Sequence, residues 1–293
     1  MALVMPVYNR CAITLQCLRS LERVDSTGLE IKIFIVDDGS TDGTSDAIRA
    51  DFPDVQLIAG DGTLHYAAGT NRGVEAAMEW GADFVVTMND DAVYHDQFLQ
   101  RLIKTANDNP RSIVGGLLLL WDEPHKVFQV APKWKTFQGG WIFPEDLTAF
   151  NVGKEPFEVE CIVGNCVMFP IEALRECGLM DEVKFPHGWG DAQWLARFRR
   201  EGWRLLVDPT VYVWCEPNTY PAPLHKAGFG KLISILFSDR KHPQNLQRQW
   251  IARTESAPSK TKAVFSFGAY LAEIFVKSVQ YGVKRLVPRS NAS

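Results

Sequence analysis

The stretch Ile31-Lys32-Ile33-Phe34-Ile35-Val36-Asp37-Asp38-Gly39-Ser40-Thr41-Asp42-Gly43-Thr44 decides the fold. Its first six residues are apolar but for Lys32, and β-branched or aromatic side chains dominate, so they read as a buried strand. That strand stops abruptly at two adjacent carboxylates. Side by side at the end of a buried strand, Asp37 and Asp38 repel each other unless a positive group or hydrogen-bond donors meet them. A metal, a base or a ribose answers that need, and in an open α/β sheet ligands gather outside the carboxyl ends of the strands. Ser40, Thr41 and Asp42 read instead as the cap of a following helix.

On both sides of this stretch, short apolar runs alternate with helical patterns. Met1 to Val7 reads as a strand entering the loop Tyr8-Asn9-Arg10, with a helix over Ala12 to Leu21. After the central motif come a helix over Thr41 to Ala50, a strand over Val55 to Ala59 and a helix over Thr70 to Trp80. Phe84 to Met88 is a further strand, ending in Asn89-Asp90-Asp91, and Gln97 to Asn107 is a helix. Trp121 to Pro156 is irregular, with the aromatic residues that a loop over a pocket uses. Glu160 to Phe169, containing Gly164-Asn165, reads as a strand, and Glu172 to Cys177 as a short helix. Phe185-Pro186-His187-Gly188-Trp189-Gly190-Asp191 then leads into a helix over Ala192 to Glu201. This alternation is that of βαβ units on a Rossmann-like, mostly parallel sheet flanked by helices.

The composition agrees with a folded domain. Of 293 residues, 46% are hydrophobic and 23% charged, which excludes disorder; 22 Gly and 16 Pro exclude a collagen-like chain. Six cysteines without a C-x-x-C pair point to reduced thiols in a cytoplasmic protein. The N-terminus lacks the pattern of a signal peptide, and no uncharged apolar run reaches membrane-spanning length. The net charge of −4 conceals a division: residues 226–293 carry 12 Lys and Arg against three acids, or +9, leaving −13 on residues 1–225.

Pro6-Val7-Tyr8-Asn9-Arg10, Val36 to Thr44, Asn89-Asp90-Asp91 and Gly190-Asp191 stand in the order and spacing of the family 2 glycosyltransferases, and over residues 1–225 the chain resembles that family. The resemblance implies an inverting enzyme of the GT-A fold that uses a nucleotide-diphosphate sugar. Within it, Gly60 to Gly73 resembles the branch of bacterial rhamnosyl- and galactosyl-type transferases of surface polysaccharide synthesis. The expected architecture is a catalytic domain over 1–225, with a nucleotide-sugar half to about residue 115 and an acceptor half after it, and a basic helical extension over 226–293.

The same resemblance assigns roles. The D-x-D motif of the family reads Asn89-Asp90-Asp91 here, so Asp91 is the expected ligand of Mn²⁺ or Mg²⁺, with Asn89 and Asp90 near the ribose or diphosphate. Such an ion neutralises the leaving diphosphate as a Lewis acid. Pro6, Tyr8, Arg10, Asp37 and Asp38 are expected along the nucleotide, UDP or dTDP ahead of GDP. Arg72 is either a further nucleotide contact or a solvated helix residue. Inversion needs one carboxylate to take the acceptor proton, and Asp191 matches that position. Gly164, Asn165, His187 and Trp189 are expected on the acceptor side, His187 equally as a structural residue. His225 is either a second metal ligand or a surface histidine. A degenerate domain that binds a nucleotide sugar without turnover is the alternative, supported only by Asn89.

In the tail, Val264, Phe267, Leu271, Ile274, Phe275, Val279 and Val283 recur at largely helical spacing among Lys262, Lys277, Lys284 and Arg285. An amphipathic basic helix over 260–289 suits the inner face of an anionic membrane, where a lipid-linked acceptor is found, or packs against protein. No motif for nucleic acid occurs.

Overall fold

The computed structural model describes residues 1–186, 188–216, 229–239, 242 and 244–286, Phe229 and the last six by their backbone alone. Two compact units are present: Met1–Lys133 with Phe143–Pro217, and Trp134–Ile142 with Asn218–Ser293.

In the first unit the chain runs β1 (Ala2–Val7), α1 (Cys11–Leu21), β2 (Lys32–Asp37), α2 (Thr44–Asp51), β3 (Gln56–Ala59), α3 (His65–Trp80), β4 (Phe84–Met88), β5 (Ala92–Tyr94), α4 (Phe98–Asp108), β6 (Ser112–Leu120) and β7 (Val127–Gln129). The hairpin β8 (Lys133–Lys135) and β9 (Gly140–Ile142) goes almost wholly to the second unit. The first unit resumes with β10 (Phe157–Glu158), β11 (Cys166–Pro170), α5 (Ile171–Cys177), α6 (Gly190–Arg200) and β12 (Arg204–Cys215). One sheet takes the order β10-β12-β6-β11-β4-β1-β2-β3, with β5 beside β12 and β7 beside β6. The β4-β1-β2-β3 end is parallel throughout, whereas β11 runs antiparallel to both β4 and β6.

Alternation along the strands divides the core. Leu3 and Met5 of β1, Ile35 of β2 and Met88 of β4 face α1, α2 and α4, where Cys17, Leu18, Ile48, Phe98 and Leu102 close a single cluster. On the opposite face Val4 meets α3 so closely that a Cβ on Gly73 would lie 2.4 Å from Val4 Cγ1. Phe169 of β11 stacks there on Trp194 and Phe198 of α6, at ring separations of 4.5 and 5.3 Å.

The stretch Trp121 to Pro156, expected irregular, holds the short strands β7, β8 and β9, and α2 starts at Thr44 and not at Thr41. Two boundaries differ most from the sequence expectation. Helix α3 begins at His65, five residues before Thr70, because Asp38 accepts the backbone N–H groups of Leu64 and His65 and caps that end from 26 and 27 residues away. Strand β11 begins only at Cys166, because the N–H of Gly164 is turned toward Asp191 and does not join the sheet.

The second unit contains, among its described residues, α7 (Phe229–Ile233), a π-helical turn (Ser234–Ser238), α8 (Leu246–Ser256) and the 27-residue α9 (Lys260–Leu286). Asn245 caps α8 by accepting from the N–H of Gln247 and Arg248. The buried Arg253 donates to Gly139 O at 2.6 Å and lies 4.4 Å from the Tyr270 ring centroid; burial pushes its guanidinium down to about 10. The apolar set read from the tail is divided in two. Phe267 and Ile274 turn inward beside the buried Ala263 and Ser266, while Val264, Leu271, Phe275 and Val279 are exposed. Val283 lies among the residues described by backbone alone.

Candidate active site

The carboxyl ends of β1, β2 and β4 converge on a cavity of about 530 Å³ lined by Pro6, Val7, Tyr8, Arg10, Asp38, Gly62, His65, Tyr66 and Asp90. A smaller one of about 140 Å³ is lined in part by Cys17, Asp90, Asp91, Trp121 and Glu216. Asp90 borders both.

The loops after β1 and β2 are stapled together. The N–H of Asn9 donates to Ser40 Oγ (2.8 Å), that of Thr41 to Asn9 Oδ1 (2.7 Å) and that of Cys11 to Asp42 Oδ2 (2.9 Å). Asp42 also accepts from Thr44 N and Oγ1, so one carboxylate serves the first turns of α1 and α2 and sits below its usual pKa. The buried Asp37 accepts from Ser40 N at 2.9 Å and from the Ser45 hydroxyl. Asp38 accepts from Gly62 N, Leu64 N and His65 N at 2.9, 3.1 and 2.9 Å. Both acids are met by donors of the chain itself, and of the two only Asp38 lines the large cavity.

Arg10 spans the second acidic pair, with Nη1 at 3.0 Å from Asp90 Oδ1 and Nη2 at 2.9 Å from Asp91 Oδ2. Thr14, one helical turn beyond Arg10, donates its hydroxyl to Asp90 Oδ2 at 3.0 Å. Burial pushes the Asp90 carboxyl up to about 6 against the opposing pull of Arg10 and Thr14. Although burial opposes it, the guanidinium is held above its ordinary value by the two carboxylates. Each Asp90 oxygen thus has a partner. Asp91 Oδ1 is different: it is buried and has none, and the same holds for Asn89 Oδ1. A buried carboxylate oxygen without a donor is a ligand suited to a hard divalent cation, and by that test Asp91 fits a metal. Among the described residues no group of three or more His, Cys, Asp or Glu side chains converges on one point.

Asp191 is the second residue of α6. It accepts from Gly164 N at 3.2 Å through Oδ2 and from Ala192 N at 2.9 Å through Oδ1. A Cβ at 164 would lie 3.1 Å from Asp191 Oδ2, so the glycine is what admits the carboxylate. Burial raises the Asp191 pKa against those donors. Tyr66, a wall of the large cavity, has its own pKa raised by burial and further by the charge of Asp191. Trp189 directly precedes α6 with φ +63°. Asn165 lies beside Asn89, whose N–H it accepts at 3.3 Å, and Tyr94 Oη donates to Asn89 O at 3.0 Å. Arg72 is exposed on α3 and is not among the residues lining the cavity. His187 and His225 lie outside the described residues.

Thr14, Tyr66 and Asn71 carry parts of this site to which motif reading assigns no role, although Tyr66 and Asn71 lie within the Gly60 to Gly73 stretch. Asn71 donates to Met180 O (3.0 Å) and Glu182 Oε2 (2.8 Å) and accepts from Met180 N (2.9 Å), while Ala67 N donates to Pro186 O at 3.2 Å. Helix α3 therefore holds the segment that delivers Asp191. The one sequence signal for Thr14 is its i+4 spacing from Arg10.

The family profile described as "Glycosyl transferase family 2" matches residues 2–178. The chain belongs to that family. An N-acetylglucosaminyl-diphospho-decaprenol L-rhamnosyltransferase of Mycobacterium tuberculosis is 26% identical to this glycosyltransferase over 208 residues, 64% of this chain and 67% of that one. The solved structure of GalNAc-T7 with UDP, GalNAc and Mn²⁺ superimposes with a TM-score of 0.61 at 12% identity, over 94% of this chain and 56% of that one. The mannosyltransferase PcManGT from Pyrobaculum calidifontis, in complex with GDP-Man and Mn²⁺, gives 0.57 at 16% identity, over 96% and 73%. These two likenesses show the fold, an α/β GT-A architecture.

Proposed function

We propose that this glycosyltransferase moves a sugar from a nucleotide-diphosphate donor to a hydroxyl of a saccharide or lipid-linked acceptor, with inversion, in bacterial cell-surface polysaccharide synthesis. The observation that carries the reading is a cavity lined by Arg10 and Asp90, with a buried carboxylate, Asp191, on the segment that α3, another wall of that cavity, holds. The rhamnosyltransferase relative has a lipid-linked substrate in its name, and the two superimposed structures hold UDP or GDP-Man with Mn²⁺.

In this reading the nucleotide lies along Pro6, Tyr8 and Asp38. Asp91, with Asp90 beside it, would hold the divalent ion, which when bound neutralises charge on the departing diphosphate. Arg10 adds a fixed positive charge at the same wall, which Asn89 does not oppose. Asp191 Oδ takes the proton of the acceptor hydroxyl as that oxygen attacks the anomeric carbon opposite the leaving group, and the raised pKa makes it the stronger base. Gly164 makes room for the Asp191 carboxylate, Asn165 stands next to it on the acceptor side, and Trp189 offers an aromatic face for the acceptor's ring. A single displacement needs no enzyme nucleophile; burial pushes the thiols of Cys17, Cys161, Cys166 and Cys215 up, to about 12 in Cys166 and Cys215.

The test is Asp191→Asn, assayed by nucleotide release and by titration of the donor. Turnover is expected to fall by about 10²–10⁴-fold with donor affinity nearly unchanged. Retained turnover would remove Asp191 from the mechanism.

A further inference from the structure

We propose that helix α9 lies in the interface of an anionic lipid bilayer, its exposed apolar face inserted among the acyl chains. At 3.6 residues per turn, Val264, Phe265, Leu271, Phe275, Val276 and Val279 fall within one arc of about 140°. All six are exposed, Phe275 at 70%. The other positions of that arc between Thr261 and Val279 are Gly268, Ala272 and Thr261 itself, so it bears no charge. The opposite side of the helix is already occupied within the second unit. Ala263 packs with Trp134 and Ala257, Ile274 packs on Ile235 and Leu236, and Tyr270 Oη donates to Gln244 O at 3.4 Å. An ordinary water-facing surface would be polar where α9 is apolar. Phe137, in the turn between β8 and β9, is 82% exposed and its ring centroid lies 6.4 Å from that of Phe265, which extends the same surface beyond the helix.

Charge decides the occupant. Lys260 and Lys262 flank the apolar arc, the one acid of the helix, Glu273, is paired with Lys277 away from it, and residues 226–293 carry +9. A second copy of this face would bring two such positive segments together, whereas anionic headgroups complement them. No described helix is long and apolar enough to cross a membrane, and an apolar face with cationic flanks is the form a helix takes when it lies in the plane of the interface. The inference goes beyond the assignment of the active site and does not rest on it, since its test transfers no sugar.

The full chain would be floated with phosphatidylglycerol-rich vesicles and with pure phosphatidylcholine vesicles, at low and high salt. The expected result is binding to the anionic vesicles, at least about tenfold weaker on neutral ones, weakened by salt, and reduced about tenfold or more in Phe265→Ser/Phe275→Ser. Lys260→Gln/Lys262→Gln is expected to lose the preference for anionic lipid. Circular dichroism and thermal unfolding of the variants serve as the control for folding. Absence of binding to either vesicle would overturn the proposal. So would a wild-type dimer, seen by sedimentation equilibrium, that Phe265→Ser/Phe275→Ser converts to monomer without changing vesicle binding.

Discussion

Arg10 is the residue on which the donor side of the site turns, since one guanidinium holds two neighbouring carboxylates that otherwise repel each other. Arg10→Ala leaves Asp90 buried with only Thr14 as a side-chain donor, and a loss of about 1–3 kcal/mol is expected for an unmade bond to a charged group. Because about a third of the Arg10 side chain is exposed, solvent screening places the outcome near the lower end. Arg10→Lys should fall between, because a single ammonium does not span both carboxylates as the fork does. Urea denaturation of the three proteins measures the series, and equal midpoints would contradict it. Asp191 supplies the pH dependence. Its folded-state pKa is raised, so its contribution to stability is fully present below the ordinary carboxylate value and is lost as pH rises through the raised one. In the proposed mechanism catalysis has the opposite sense, because only the ionised carboxylate accepts a proton. The acid limb of the kcat profile is expected above the ordinary range for aspartate and to vanish in Asp191→Asn. A limb at the ordinary carboxylate value would contradict this.

At the level of elements, the tightest constraint in the parallel half of the sheet is the approach of α3 to β1. Gly73→Ala would gain about 1 kcal/mol of helix propensity and lose about 1–3 kcal/mol to overpacking against Val4. The variant is expected to be less stable, and Gly73→Ala/Val4→Ala should be less destabilised than the sum of its single changes by about 1 kcal/mol. Additivity would show that α3 moves away freely. The parts of this half that were legible in the sequence are those that local pattern controls: the apolar runs of β1, β2 and β4, and the acids that end β2 and follow β4. What stayed hidden depends on distant partners. The start of α3 is set by Asp38 from across a loop, and the late start of β11 is set by Asp191 on α6. Neither leaves a trace in the periodicity of its own segment. Strands β6 and β12 pair in parallel along nearly their full length, yet neither Ser112–Leu120 nor Arg204–Cys215 ends in a motif. Gly164 and Asp191 were each legible alone, whereas their contact was not, because 27 residues separate them.

For the whole molecule, the charge division seen in the sequence runs close to the structural one: the acidic body largely coincides with the sheet unit and the basic tail with the helical unit. Segment Trp134–Ile142 is the exception, a hairpin strand and turn that joins the helical unit although the chain around it belongs to the sheet. Two of its three aromatic residues, Trp134 and Trp141, pack edge to face at 5.3 Å, a pairing that a scatter of aromatics in a long loop does not announce. The proposed mechanism requires a nucleotide sugar and a divalent ion to bind together at Asp91. The most direct test is the thermal stability of the wild type and of Asp91→Ala with UDP-, dTDP- and GDP-sugars, each with Mn²⁺ or with EDTA. Stabilisation by one nucleotide class, a few degrees at saturating donor, is predicted in the wild type with Mn²⁺ and is predicted to vanish with EDTA or with Asp91→Ala. A shift that persists with EDTA and in Asp91→Ala, or no shift with any donor, would contradict it.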